Sequence, residues 1–249
     1  MDGTLRQSRR QRFHQHLAAQ SILPEIRRQA RRPRPFVVNQ HRNGLLTPWG
    51  YNATQNVPQL TIGDYVSSRY MLNPLRLWDC DRPVNASTAY LFATAERARD
   101  MRQAPVYVLN NSQHNFRKRS TREDLDEIED WTDSAARRMY EGAGLGPNGV
   151  DIFSPYDGYA LMAQFFREGF QWHGVKRGDA FAFYAGDIRV EGRRPCWIRS
   201  VSGRFNNRAI AIDGFSLSLA TRALRGIRPK VLLFVGLLIG VLAVVISRR

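Results

Sequence analysis

Cysteine is scarce in this chain: its 249 residues include two, Cys80 and Cys196. A disulfide-stapled scaffold and a zinc module built on paired cysteines are therefore excluded. A reducing compartment, the cytoplasm, is the expected setting. Histidine is sparse as well. The five residues, His14, His16, His41, His114 and His173, form no HExxH and no metal-ligand spacing beyond the His14/His16 pair. No metal site is expected. There is no GxSxG nucleophile elbow. The first 35 residues lack the apolar run and small-residue cleavage site of a secretory leader.

Acidic residues are scarce at the two ends. Residues 1–35 hold nine Arg against two acids, and residues 193–249 hold ten Arg and one Lys against Asp213 alone. The intervening segment is slightly acidic, although the whole chain carries a formal charge of +15. A nucleic-acid partner needs a basic face on a folded surface. Here the arginines fall in two terminal segments, so no nucleic-acid partner is expected.

The middle of the chain alternates two periodicities. Short apolar runs at 89–94, 105–109 and 150–153 read as strands. A short helix is expected at 96–101. The capping-box spacing of Ser120 to Glu123 opens a helix through Leu125, Ile128, Trp131, Ala135 and Met139. A polar loop precedes it at 110–119, and the glycine-rich stretch 142–149 ends it. Residues 157–170 read as a further helix with Leu161, Phe165 and Phe166 inward. Strand and helix in alternation imply a layered α/β domain. Pro33-Arg34-Pro35 punctuates the chain ahead of it.

Few residues here are suited to chemistry. Gly142-x-Gly144-x-Gly146 mimics a dinucleotide fingerprint but follows a helix rather than a strand, so it reads as a helix stop. Cys80 is flanked by Asp79 and Asp81. Two carboxylates raise a thiol pKa, so Cys80 reads as structural rather than nucleophilic. The quartet Tyr156-Asp157-Gly158-Tyr159 lies where a strand passes into a helix. Tyr156 there is a candidate proton donor to a carbonyl oxygen, with Asp157 fixing the helix start. An aspartate cap with an aromatic staple explains the same spacing.

Several stretches in order carry a resemblance. PLRLWDC at 74–80 leads to AYLFATAERA at 89–98. RRMYEGAGL at 137–145 leads to VDIFSPYDGY at 150–159. GDAFAFY at 178–184 then precedes DIRVEG at 187–192. Over residues 36–195 this order resembles the thiolase superfamily, in its sterol-carrier or lipid-transfer-type branch. The resemblance implies the C-terminal half of a thiolase-like layered α/β fold, and acyl-CoA chemistry of the Claisen or thiolytic kind. Some members resembling this branch cleave steroid CoA esters by a retro-aldol step, beside a small OB-fold partner. The substrate it implies is an acyl-CoA or steroid-CoA thioester, with no tightly bound cofactor.

The departures are specific. The family's nucleophilic cysteine belongs to an N-terminal half without counterpart here, and its His-Asp-Cys-Phe-type motif reads Tyr156-Asp157-Gly158-Tyr159. The resemblance thus implies an acyltransferase or aldolase component that is incomplete or inactive alone. The alternative is a non-catalytic lipid- or CoA-binding module. A homodimer, a separate N-terminal half or a small OB-fold protein are the implied partners.

The expected division is four-fold: an Arg-rich, disordered 1–35; the thiolase-like 36–195; a basic, non-matching 196–230; and a hydrophobic helix at 231–247. The uninterrupted apolar run 231–246 spans about 24 Å as a helix, short of a ~30 Å hydrocarbon core. Lys230 and Arg248-Arg249 flank it. It is a candidate tail anchor to a membrane. A shifted reading frame over 196–249 would instead make it an accident of translation.

Overall fold

The computed structural model describes residues 33–46, 50–73, 75–80, 92–102, 106–112, 125–150, 152–155, 160–189, 231–236 and 240–246, the last two as backbone. Helix α1 (Pro33–Leu45) leads to short helices α2 (Tyr51–Thr54) and α3 (Ile62–Ser67) and a small hairpin, β1 (Tyr70–Leu72) with β2 (Leu75–Arg76). A short helix α4 (Ala95–Arg99) precedes strand β3 (Val106–Ser112). Helix α5 (Leu125–Ala143), strand β4 (Ile152–Ser154), helix α6 (Ala160–Phe170) and helix α7 (Ala180–Tyr184) follow. Strands β5 (Val231–Gly236) and β6 (Gly240–Ile246) come last. This is a mixed α/β architecture.

Helix α5 forms where the apolar spacing places it. Ile128, Trp131, Ala135 and Met139 are all buried, and Asp126 and Glu127 in the first turn complement the helix dipole. It ends because Gly144 adopts φ +64°, a conformation open to glycine, while the Leu145 N–H donates to the Tyr140 carbonyl at 3.0 Å. α6 is buried along its whole length and packs against α5. Phe166 meets Trp131 edge-on at 5.1 Å. A methyl group on Gly169 would stand 2.6 Å from Thr132 Cβ, so glycine permits the close approach of the two helices.

The four-stranded sheet runs β3-β6-β5-β4. β3 and β6 are antiparallel, with Val106 opposite Ile246 and Ser112 opposite Val241. β5 and β6 form an antiparallel pair, and β4 lies parallel to β5 with Ile152 opposite Leu232. α5 lies against β3 and β6. The Asn110 side chain pins that contact by donating to the carbonyls of Arg138, at 3.1 Å, and Met139, at 3.3 Å.

The sheet corrects the reading of residues 231–246. They are not a hydrophobic helix but two strands at the centre of the sheet, and no helix among the described residues is long and apolar enough to cross a membrane. Fully buried strands carry the same unbroken apolar run as a buried helix. Other boundaries shift. Phe92 to Thr94 have no strand structure, and Phe92 is 76% exposed; residues 89–91 lie outside the described set. β3 continues to Ser112, through the start of the expected loop, because β6 supplies a partner along its length. Pro33 and Pro35 occupy the first turn of α1, where a proline's missing N–H costs no helical hydrogen bond. Of the Arg-rich start and the basic segment 196–230, residues 1–32 and 196–230 lie outside the described set.

Candidate functional site

The candidate residues from the sequence lie between two described elements. β4 ends at Ser154, Pro155 is buried, and α6 begins at Ala160. Tyr156 and Asp157 themselves lie outside the described residues. The elements on either side of that junction, β4 and α6, share a buried aromatic layer.

Phe153 of β4 sets the first layer. It is fully buried, with the rings of Phe170 at 5.4 Å and Trp172 at 5.8 Å. Trp172 is 1% exposed, and its indole N–H donates to the Val150 carbonyl at 2.8 Å. The indole thus ties the turn after α6 back to the residue that leads into β4.

Arg167 forms the second layer, and nothing in the sequence pattern singled it out. The residue is 0% exposed on α6. Its guanidinium carbon lies 4.3 Å from the Phe183 ring centre, 4.8 Å from Trp172, 5.0 Å from Tyr184 and 5.5 Å from Phe153. The Nε–H donates to the Tyr184 hydroxyl at 2.9 Å, and that hydroxyl donates to the Ala163 carbonyl at 3.3 Å. Aromatic faces replace part of the lost hydration of the cation, which is how a guanidinium tolerates such a place. The signal in the sequence was an arginine directly after Phe165-Phe166 in an apolar helix.

Beside Arg167, the last turn of α6 is also held by charge. Glu168 accepts from the Ala180 N–H at 3.1 Å and so caps α7. Burial pushes its carboxyl above the usual range, against the pull of the backbone donors at Ala180 and Gly178 and of Arg177. Arg177 in turn donates to Asp133 at 2.6 Å and to the Glu129 carbonyl at 2.8 Å, tying this loop to α5.

A second polar centre sits under the β1–β2 hairpin. Asp79 is buried and accepts from the Tyr65 hydroxyl at 2.9 Å and the Arg76 N–H at 2.7 Å. Burial raises its pKa to about 6, although those two donors and the Arg76 charge work in the opposite direction. Cys80 follows it, buried, its thiol donating to the Arg76 carbonyl at 3.7 Å. A thiol that donates to a carbonyl beside a carboxylate is a packing group, as its sequence neighbours suggested. Among the described residues no cluster of His, Cys, Asp or Glu is arranged to hold a metal ion.

Asp79 gives a pH signature. A carboxyl whose pKa is higher in the folded state binds its proton more tightly there than in the unfolded chain. Its contribution to stability is complete below the ordinary value of 3.8 and is lost as pH rises through about 6. Glu168 acts with the same sign. Urea unfolding measured between pH 4 and 6.5 is expected to show stability falling with pH. Asp79→Asn should remove on the order of 2–3 kcal/mol of that slope.

No family model matches the chain. It is 31% identical over 142 residues to the 17-hydroxy-3-oxo-4-pregnene-20-carboxyl-CoA lyase of Mycobacterium tuberculosis. It is 26% identical over 145 residues to a steroid side-chain-cleaving aldolase of Thermomonospora curvata. An acetyl-CoA acetyltransferase of Methanothermobacter thermautotrophicus is 28% identical over 139 residues. A lyase, an aldolase and an acetyltransferase are thus its relatives. Each match takes in 55% of this chain but 36% of the relative, so the chain spans about a third of their length.

The fold is shared more widely than the sequence. A chain of the Ltp2–ChsH2(DUF35) aldolase superposes with a TM-score of 0.71 at 18% identity, over 93% of this chain and 63% of that one. A likeness at that identity speaks for the fold alone.

Proposed function

We propose that this chain is a thiolase-like component of an aldolase acting on lipid or steroid CoA thioesters. The observation that carries the reading is sequence likeness to a carboxyl-CoA lyase and to a steroid side-chain-cleaving aldolase, joined to a fold shared with an aldolase over 93% of the chain. The sterol-carrier type of thiolase is the branch its motifs resemble. Two of the three relatives named are a lyase and an aldolase, so carbon–carbon cleavage is the reading adopted over acyl transfer. Acyl transfer needs an activated thiolate, and Cys80 is a buried thiol engaged with a carbonyl. A retro-aldol step needs no covalent acyl-enzyme. The β-hydroxyl loses its proton, the Cα–Cβ bond breaks, the hydroxyl carbon becomes a carbonyl, and the thioester enolate takes up a proton at Cα.

In this reading Tyr156 donates a hydrogen bond to the thioester carbonyl oxygen as negative charge builds there, and Asp157 fixes the start of α6. Phe153, Arg167 and Tyr184 tie β4, α6 and α7 to one another. The reading includes a partner, as the family resemblance implies: a separate N-terminal half, a small OB-fold protein or a second copy. The setting is the cytoplasm.

The test is cleavage of a β-hydroxy steroid-CoA thioester by the chain with its partner. Tyr156→Phe is expected to lower kcat by about 100-fold or more, with an unchanged circular dichroism spectrum. Cys80→Ser is expected to leave the rate within about two-fold. An unchanged rate for Tyr156→Phe would favour the non-catalytic binding module. Acetyl transfer abolished by Cys80→Ser would overturn the aldolase reading.

A further inference from the structure

Helix α1 is polar yet buried. Asn39, Gln40, His41 and Asn43 lie within it and none is more than 6% exposed. Buried polar groups nearly always find hydrogen-bonding partners, and a helix of this composition normally faces water. His41 is engaged: its Nδ1 accepts from the Leu60 N–H at 3.2 Å, and its ring meets Trp78 edge-on at 5.7 Å. The Asn39 Nδ2 donates to the Ile188 carbonyl at 3.2 Å. Four amide atoms nearby have no partner: Asn39 Oδ1, Gln40 Oε1 and Nε2, and Gln164 Nε2 on α6. Gln40 is 4% exposed and Gln164 2% exposed.

The two helices that carry these side chains meet at Tyr184. The Tyr184 ring packs on Phe36, one turn of α1 before Gln40, with ring centres 4.4 Å apart. The hydroxyl of the same tyrosine donates to the carbonyl of Ala163, the residue before Gln164. α1 and α6 also touch directly. The unmatched atoms comprise two donors and two acceptors, and none carries a charge. Such a set suits a neutral group with both donors and acceptors. Leucine at either glutamine would fill the same space without an unmet hydrogen bond, so as core residues the amides are a poor choice. Residues that weaken a core are typical of binding sites.

We propose that Asn39, Gln40 and Gln164 form a subsite that receives a neutral hydrogen-bonding group of the thioester substrate. The shared chemistry is a carbonyl, hydroxyl or amide, supplied either by an oxygen on the acyl part or by the arm of coenzyme A. This inference rests on the CoA-thioester reading given above.

The test uses the full chain with Gln40→Leu and Gln164→Leu, and Gln40→Met as a second isostere should a leucine variant fail to fold. Binding of free coenzyme A, of a 3-oxo steroid lacking CoA, and of its 3-deoxy counterpart is measured by calorimetry, beside thermal unfolding. The variants are expected to melt at or above the parent temperature. They should also lose about ten-fold affinity, one hydrogen bond's worth, for whichever of the first two ligands supplies the group. Loss for the steroid alone assigns the group to the acyl part, and loss for coenzyme A alone assigns it to the arm. The 3-deoxy steroid should bind parent and variants alike. Raised melting temperatures with unchanged affinity for both ligands would overturn the subsite while the function stands. A parent chain that binds neither ligand and, with its partner, cleaves no thioester would overturn the function and the subsite together.

Discussion

Ending the chain after Arg228 is expected to abolish the fold, not merely to release it from a membrane. The truncation removes β5 and β6, which are the two central strands of the sheet. β3 then loses its neighbour β6, and β4 loses its neighbour β5. Both are left with unpaired backbone donors and acceptors, and α5 loses β6 from the sheet beneath it. Each buried, unpaired backbone group costs roughly 1–3 kcal/mol. That sum exceeds the ~5–15 kcal/mol by which an ordinary domain is stable. The expected result is an aggregating product with no cooperative urea transition. A soluble, cooperatively folding truncated chain would show that 231–246 is dispensable, as a tail anchor would be.

Trp172→Ala is expected to lower the unfolding free energy by about 3–5 kcal/mol from the lost packing alone. Two further losses follow from its place in the turn. The Val150 carbonyl loses the indole donor, an added cost of about 1 kcal/mol or more. The flanking residues are also in costly conformations: Gln171 has φ 50° and His173 has φ 58°, with Gly174 at 72°. Left-handed non-glycine residues persist where packing over-determines them, and the buried indole is that packing here. Trp172→Phe should recover most of the packing but not the hydrogen bond. Urea unfolding of the two variants separates the contributions. A loss below about 1 kcal/mol for the alanine variant would contradict the role assigned to the indole.

What could be read from the sequence was local. The helix at Leu125–Ala143 was legible because its apolar residues recur with the helical period and its end is marked by glycine. The helix through Phe165 and Phe166 was legible for the same reason, and so was the structural character of Cys80. Periodicity failed where an unbroken apolar run fits a strand and a helix alike. Residues 231–246 have no polar positions to mark a period, and only Gly236 and Gly240, read as helix-packing residues, bracket the change of direction. The supports of the candidate site were illegible for another reason. Arg167 meets Phe183 and Tyr184 across a turn and a second helix, and Tyr184 joins Phe36 of α1 to Ala163 of α6. Such contacts leave no spacing rule in the chain. Asp79 was seen as a neighbour of Cys80, not as a buried acid, because its burial depends on Tyr65 and the hairpin above it.

The order of strands has a consequence for biosynthesis. Val106 pairs with Ile246, and Ile152 with Leu232, so the sheet's inner rows leave the ribosome after its outer ones. Until they do, β3 and β4 wait as nascent segments with nothing to zip onto, and loop closure over such separations is slow. The emerging polypeptide is then a natural client for chaperones, and its yield in a cell should respond more to their supply than its final stability suggests.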